Sequence, residues 1–349
     1  LIMKSLVGKI MTRNNRIVLF IMFGIGIAIF LFSLRKISFR SFVHDVTTLN
    51  LWWLGIAFLC MFLSLVFEAL VIKILVQRQI KSYPFFDALR VPMLEQLFNG
   101  ITPFSTGGQP AQLFALMQSG LDVGRATSST LMKFIVYQAM IVVNFVLCLL
   151  IGFNFIQEKI HTLTWLVVFG FIIHLAVIVS LLMVMYWYDF TKKFIKVTLL
   201  PIKWIFNDEK YQNWNKIVDE KIDNFYEESL KLKSNWKLLL KISAITFVQL
   251  AVYYIIPYFI LLSLGVTHVN VIMVVSMHVL IVMVVSLFPI PGGAGGAEYS
   301  FSVIFSSFIG TGSKLVLAML LWRIVTYYFG MLSGLIAMLI QPKQIVTKK

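Results

Sequence analysis

The sequence predicts an all-α, polytopic integral membrane protein, arranged as an inverted-topology repeat with two re-entrant, broken-helix segments. Three observations predict it. Of 349 residues, 59% are hydrophobic and 13% charged, and the mean hydropathy is +0.89, whereas an ordinary soluble domain is about 45–50% apolar. Apolar runs recur at 17–34, 49–76, 127–156, 163–188, 238–264 and 315–340, each close to the roughly 20 residues that a bilayer crossing takes. Two glycine- and proline-rich elements, 103–110 and 289–298, interrupt the apolar sequence, and laying Gly107 and Gly108 on Gly295 and Gly296 fixes an offset of 188 residues.

That offset also lays Pro103 on Pro291, 49–76 on 237–264, and 126–153 on 314–341. Duplicated units whose copies each break at a Gly/Pro element are how many transporters build a central site from discontinuous helices. Chance similarity between apolar runs is the alternative. The chain then divides, within one membrane domain 1–349, into a first repeat 49–156, a cytoplasmic amphipathic linker 189–236 and a second repeat 237–341.

The first run, Ile17 to Leu34, has the basic leader of a signal peptide, but no small-residue cleavage pattern follows at Ser33 to Lys36, so it is read as a retained helix. The stretch 35–48 reads as an outer loop, and its Arg35, Lys36 and Arg40 are an exception to the charge rule. Run 49–76 is a full span. The segment 83–120 is apolar but interrupted by Asp87, Arg90, Pro92, Glu95 and the first Gly/Pro element. It reads as a pair of short helices, a backbone that survives at membrane depth only where protein or a wet cavity covers it. Runs 127–156 and 163–188 are full spans.

In 189–236, Phe190, Phe194, Val197, Leu200 and Trp204 interleave with Lys192, Lys193, Lys196 and Lys203, the pattern of a basic interfacial helix. Beyond Asn207, Trp214, Ile217, Val218, Ile222, Phe225 and Tyr226 keep helical spacing. A second amphipathic helix and a solvated connector both fit that stretch. Run 238–264 is a span, 270–310 a second pair of short helices around the second Gly/Pro element, and 315–340 the last span.

Lys4, Lys9, Arg13 and Arg16 precede the first span, nine lysines lie between Asp189 and Trp236, and three follow Pro342. Cytoplasmic loops carry the lysine and arginine excess, so both termini are expected in the cytoplasm. The two broken segments then enter from opposite leaflets. The formal charge of +15 suits anionic lipid headgroups, and no soluble basic domain is there to present it to nucleic acid.

Ionisable groups inside spans cost about 2.5–3.5 kcal/mol each on insertion scales, so Glu68, Lys73, Glu95, Lys133, Glu298 and Arg323 each need a partner, a cavity or a task. Lys73 is read as snorkelling to the interface. Glu298 opens the helix after Gly295 and Gly296. Free N–H groups at a helix start attract anions, and glycine admits a headgroup close to the backbone. Phosphate contact is therefore expected at Pro103, Gly107, Gly108, Gln109 and Pro110, and at Pro291, Gly292, Gly293, Gly295 and Gly296. Arginine grips phosphate bidentately, so Arg323 with Glu298, and Lys133 near the position that the offset assigns to its counterpart, complete the expected lipid-binding set. An internal acid–base pair that fastens the bundle is the equal alternative.

Enzyme signatures are thin. There is no His-Glu-x-x-His motif and no Walker loop, and the glycine cluster at 292–296 lacks the strand–turn–helix context of a dinucleotide fingerprint. His174 and His278 are read as satisfied structural histidines. Cys60 and Cys148 lie in apolar spans without metal-ligand spacing and are read as packing residues. No metal and no cofactor are expected.

Thr102 to Pro110, Pro291 to Glu298, and Trp322, Arg323, Ile324, Val325, Thr326, Tyr327 and Tyr328 with Gly334 resemble the flippase-like transmembrane region of lysylphosphatidylglycerol synthases, which bacterial multiple peptide resistance factors carry. The resemblance covers essentially the whole chain. It implies movement of aminoacylated phosphatidylglycerol across the bacterial cytoplasmic membrane and, in full-length members, antimicrobial peptide resistance with a separate cytosolic domain that transfers lysine from tRNA. Two departures stand out: Lys133 occupies a span where relatives carry an acidic–arginine pair, and the sequence ends at Lys349, so the stand-alone form without the transfer domain is expected. The reading is a lipid translocase for anionic, aminoacylated or polyprenyl-phosphate-linked lipids, compatible with a homo-oligomer. The rivals are a lysyltransferase-type enzyme of headgroup modification and a non-transporting envelope scaffold.

Overall fold

The computed structural model describes residues 39–80, 82–159, 164–205, 234–310 and 312–343, with individual positions between 212 and 230. The expected span 17–34 lies outside the described residues, as do the N-terminal and C-terminal basic segments but for Lys343. Among the described residues there are helices and turns and no strand. Five helical stretches are long and apolar enough to cross a membrane: Leu51–Gln77, Val123–Ile151, Val167–Val184, Trp236–Ser263 and Ser313–Leu339. The protein is an all-α polytopic membrane protein.

The expected outer loop contains a short helix, α1 (Phe39–Thr47). Asp45 on it accepts a hydrogen bond from Ser313, which ties α1 to the start of the last span. Helix α2 (Leu51–Gln77) starts at Asn50, whose side chain accepts the Trp52 N–H at 3.0 Å and whose own N–H donates to Ser263 O at 2.9 Å. Its buried residues, among them Ala57, Met61, Ser64, Leu65, Glu68, Ile72 and Leu75, recur every three or four positions. Leu51, Trp52, Leu59 and Phe62 on the other side are exposed and equally apolar. A soluble helix would put polar groups there; lipid as the outer solvent removes that demand.

The first broken segment is α3 (Phe85–Ile101), a tight turn at Pro103–Ser105, and α4 (Gly108–Gln118). At about 1.5 Å per residue the two helices measure roughly 25 and 16 Å, short of a hydrocarbon core of about 30 Å. Helices α5 (Val123–Lys159), α6 (Thr164–Tyr186) and α7 (Tyr188–Ile205) follow. Among the described residues after α7, Ile222 is buried against Val184, with Tyr188, Ile195, Val218 and Tyr226 around them. Lys192 bonds Asp223 at 2.7 Å.

The expected span 238–264 is two helices, α8 (Trp236–Tyr254) and α9 (Ile256–Ser263). Pro257 has no N–H to continue the helical ladder. The Tyr258 N–H turns to Ile255 O at 3.0 Å, and the freed Tyr254 carbonyl meets His278 Nδ1 at 3.1 Å. The second broken segment is α10 (Val271–Val285), a turn at Pro291–Gly293, and α11 (Gly296–Ile309). The last expected span is also interrupted: α12 (Ser313–Arg323) passes through one wide π-helical turn at Ile324–Tyr328 into α13 (Phe329–Leu339). Such turns often mark functional positions.

The 188-residue offset reappears in the backbone. Both turns start at the equivalent prolines Pro103 and Pro291, and the helices after them start at the equivalent glycines Gly108 and Gly296. Phe104 and Ser105 have φ of 52° and 54°, and their counterparts Gly292 and Gly293 have 63° and 62°. The first copy thus puts two non-glycine residues in the left-handed region that the second fills with glycine. One apolar core joins α2, α3 and α8 to α12. Helix α13 lies against α3, with Gly334 so close to Met93 and Leu97 that an added Cβ would sit 2.5 Å from both.

Candidate functional site between two turns

The two turns meet. Pro103–Ser105 packs against Pro291–Gly293, and beside them lies a cavity of about 240 Å³. Glu68, Gln96, Asn99, Tyr137 and Gln249 line it on one side, with Phe104 and Ser105 from the first turn. Gly292, Gly293, Trp322, Arg323 and Tyr327 line the other. Both halves of the sequence contribute to one chamber, closed in part by the Tyr327 hydroxyl, which donates to Gly100 O at 3.1 Å.

A charged cluster adjoins each wall. In the first, Lys133 of α5 reaches Glu68 of α2 and Glu95 of α3, the latter at 2.6 Å. Their side chains are 6%, 5% and 15% exposed in that order. The Gln249 amide donates to the other Glu68 oxygen at 3.1 Å. In the second, Arg323 Nε donates to Glu298 Oε1 at 2.6 Å and Nη1 donates to Gly292 O at 3.0 Å. The second Glu298 oxygen accepts the Gly295 N–H at 2.7 Å. One carboxylate therefore closes the start of α11 and holds the arginine that holds the turn. The Trp322 and Tyr327 rings lie 5.2 Å from the guanidinium carbon.

The structure brings some of the expected site residues together and sets others apart. Gly292, Gly293 and Arg323 line the cavity, Glu298 adjoins it through Arg323, and Lys133 reaches it through Glu68. Pro103 starts the first turn and Pro291 the second, whereas Gln109 and Pro110 belong to the first turn of α4 and are absent from the cavity wall. Phe104 and Ser105 stand in the wall where Gly107 and Gly108 were expected.

The reason given for the glycines also changes. A Cβ on Gly108 would run into Asn99, one on Gly296 into the Phe288 ring, and one on Gly107 would come within 2.7 Å of Thr102. What approaches these backbones is the protein itself. Gly107 N–H is already satisfied by Thr102 Oγ1 at 2.8 Å, and the anion at the start of α11 is Glu298. Gly295, exposed at φ 84°, has open space where its Cβ would be.

His278 is the satisfied histidine expected: one ring nitrogen meets Tyr254 O and the other accepts the Trp322 indole N–H at 3.0 Å. His174 departs from the expectation of a satisfied histidine: its Nε2 meets Ser286 Oγ at 3.2 Å, but its buried Nδ1 has no hydrogen-bond partner among the described residues. Cys60 and Cys148 are buried and unbridged. Gln112, Tyr137, Gln249 and Tyr253 were not singled out by sequence reasoning, and Glu68 and Glu95 were noted only as costly. The residues that meet here come from separate helices, so no local spacing links them.

Residues 17–334 match the family described as the lysylphosphatidylglycerol synthase TM region. The chain belongs to this family. It is also 28% identical over 262 residues, 72% of this chain and 75% of the relative, to a UPF0104 membrane protein of Archaeoglobus fulgidus. No solved structure matches it. In this member of the lysylphosphatidylglycerol synthase TM family, the stretches that carried the resemblance form the two turns and the Arg323 wall of the cavity.

Proposed function

We propose that the chain is a lipid translocase that moves an anionic, aminoacylated or polyprenyl-phosphate-linked lipid between leaflets of the cytoplasmic membrane. The observation that carries this reading is the polar chamber between the two turns, with the Glu68 cluster at one wall and Arg323 at the other. A cavity of about 240 Å³ is large enough to hold several ordered waters, and a phosphate-bearing headgroup would enter it while the acyl chains stay in the hydrocarbon. Arg323 would meet the phosphate; its guanidinium has five donors, of which Glu298, Gly292 O and Gly293 O engage three.

In the topology proposed, both termini are cytoplasmic and the two repeats run antiparallel, so the two broken segments enter from opposite leaflets and their turns meet beside the chamber. Alternate parting of the turns from their helices would open the chamber to one side and then the other. The test is purified full-length chain in liposomes carrying labelled phosphatidylglycerol and its lysyl ester. Movement of label between leaflets without new lipid species is expected. New lipid species would replace this reading with headgroup chemistry, and neither result would leave a scaffold.

A further inference from the structure

Around Lys133 the charges do not balance. Two carboxylates, Glu68 and Glu95, converge on one ammonium, and these three side chains are almost wholly withdrawn from solvent. Gln249 adds a neutral donor to Glu68. Gln112, 1% exposed, lies beside Glu95 and adds a second neutral amide to the cluster. Both carboxylates meet the same Lys133 Nζ, so the two acids face each other across one ammonium.

With all three groups ionised, one negative charge stays uncompensated inside a membrane protein, the arrangement that forces a pair of carboxyls to share a proton. Tyr137 of α5, Tyr253 of α8 and Tyr327 of the π-helical turn share the cavity wall with Glu68 and supply no cation. Arg323 is committed to Glu298.

We propose that Glu68 and Glu95 form a proton-binding site on Lys133, loaded from the cavity through Glu68, and that the proton travels with an anionic lipid headgroup. This rests on the translocase reading above. Glu68 belongs to the cavity wall, so a phosphate entering the chamber meets the cluster's excess negative charge. Each then favours the other: the headgroup raises proton affinity and the proton raises headgroup affinity, by the same factor. The step balances simply. A proton from solvent forms one O–H bond on a carboxylate oxygen, the cluster becomes neutral, and a lipid bearing one negative charge crosses with it electroneutrally. A proton fits better than a metal cation because Lys133 Nζ already stands between the carboxyls, and no group of three or more His, Cys, Asp or Glu suited to a metal occurs among the described residues.

The experiment is full-length protein in phosphatidylglycerol-containing liposomes with an entrapped pH dye and labelled phosphatidylglycerol. One-for-one coupling lets a gradient of one pH unit drive a leaflet ratio of up to about tenfold, with proton movement in step with lipid. In Glu68→Gln, which keeps the shape and leaves a neutral Glu95–Lys133 pair, the gradient should no longer bias the distribution. Lipid movement that ignores the gradient in wild type overturns the proton site and leaves the translocase reading standing. A response that follows sodium replaced by choline at constant pH overturns the proton in favour of a metal cation. If no lipid moves at all, the translocase reading fails. The proton site is then decided by infrared spectra of the detergent-solubilised protein: a carboxylic-acid band at neutral pH that Glu68→Gln or Glu95→Gln removes supports it, and no such band overturns it.

Discussion

Replacing Glu298 by glutamine tests whether the second charged cluster fastens the fold. The carboxylate makes a 2.6 Å bond to Arg323 and a 2.7 Å bond to the Gly295 N–H, and the two side chains are 14% and 9% exposed. Glutamine keeps the shape and one acceptor oxygen but leaves the guanidinium without a counter-charge. Removing one partner of a buried pair costs about 3–5 kcal/mol. The carbonyl of Gly292 still accepts from Nη1 at 3.0 Å, so the lower end, about 3 kcal/mol, is expected. Scanning fluorimetry in detergent should show the apparent Tm fall by at least several degrees, on the order of 5–10 °C. The decisive control is the double variant Glu298→Gln with Arg323→Met, which removes the stranded charge and should recover most of the loss. A single variant that melts with wild type, or a double variant no better than the single, would refute the fastening role.

Three further outcomes are expected. Gly296→Ala, whose new methyl meets the Phe288 ring, should lower stability by about 1–3 kcal/mol, while Gly55→Ala on α2, with nothing within 4 Å, should be neutral or gain about 0.5–1 kcal/mol; melting curves of the two compare them directly. Ser105→Gly, at φ 54°, should raise the apparent Tm by relieving about 1 kcal/mol of left-handed strain, and an unchanged or lower Tm contradicts that. Trp322→Phe strands His278 Nε2, now bonded at 3.0 Å, and should cost about 1–3 kcal/mol; an unchanged apparent Tm in the same assay contradicts that.

Much of the fold was legible because glycine and proline punctuate hydrophobic sequence strongly. The broken segments at 83–120 and 270–310 and the offset between Gly108 and Gly296 follow from that punctuation alone. The break at Ile255 was missed because one proline, Pro257, inside an unbroken apolar run resembles a tolerated kink, and what secures the break is a carbonyl captured by His278 from another helix. The π-helical turn at 324–328 has no composition that marks it. Of the site, Glu298 and Arg323 were readable because each stands out against an apolar background. The pairing of Lys133 with Glu68 and Glu95, 65 and 38 residues away, was not, since only packing decides which intramembrane charges meet. For Gly107, Gly108 and Gly296 the sequence marks a close approach, and only the packing shows that Thr102, Asn99 and Phe288 are what comes close.

Phe104 and Ser105 occupy a backbone conformation that glycine would adopt without strain, and glycine does adopt it at 292 and 293. The first copy keeps an aromatic face and a hydroxyl in the cavity wall where the second shows bare peptide, one of whose carbonyls, that of Gly292, is bonded to Arg323. A duplicated scaffold has thereby become a chamber with two chemically unlike ends. Under the translocase reading proposed above, a headgroup that meets the Phe104–Ser105 turn finds different partners from one that meets the Gly292–Gly293 turn, so passage in the two directions need not be equivalent even though the two turns share one backbone geometry.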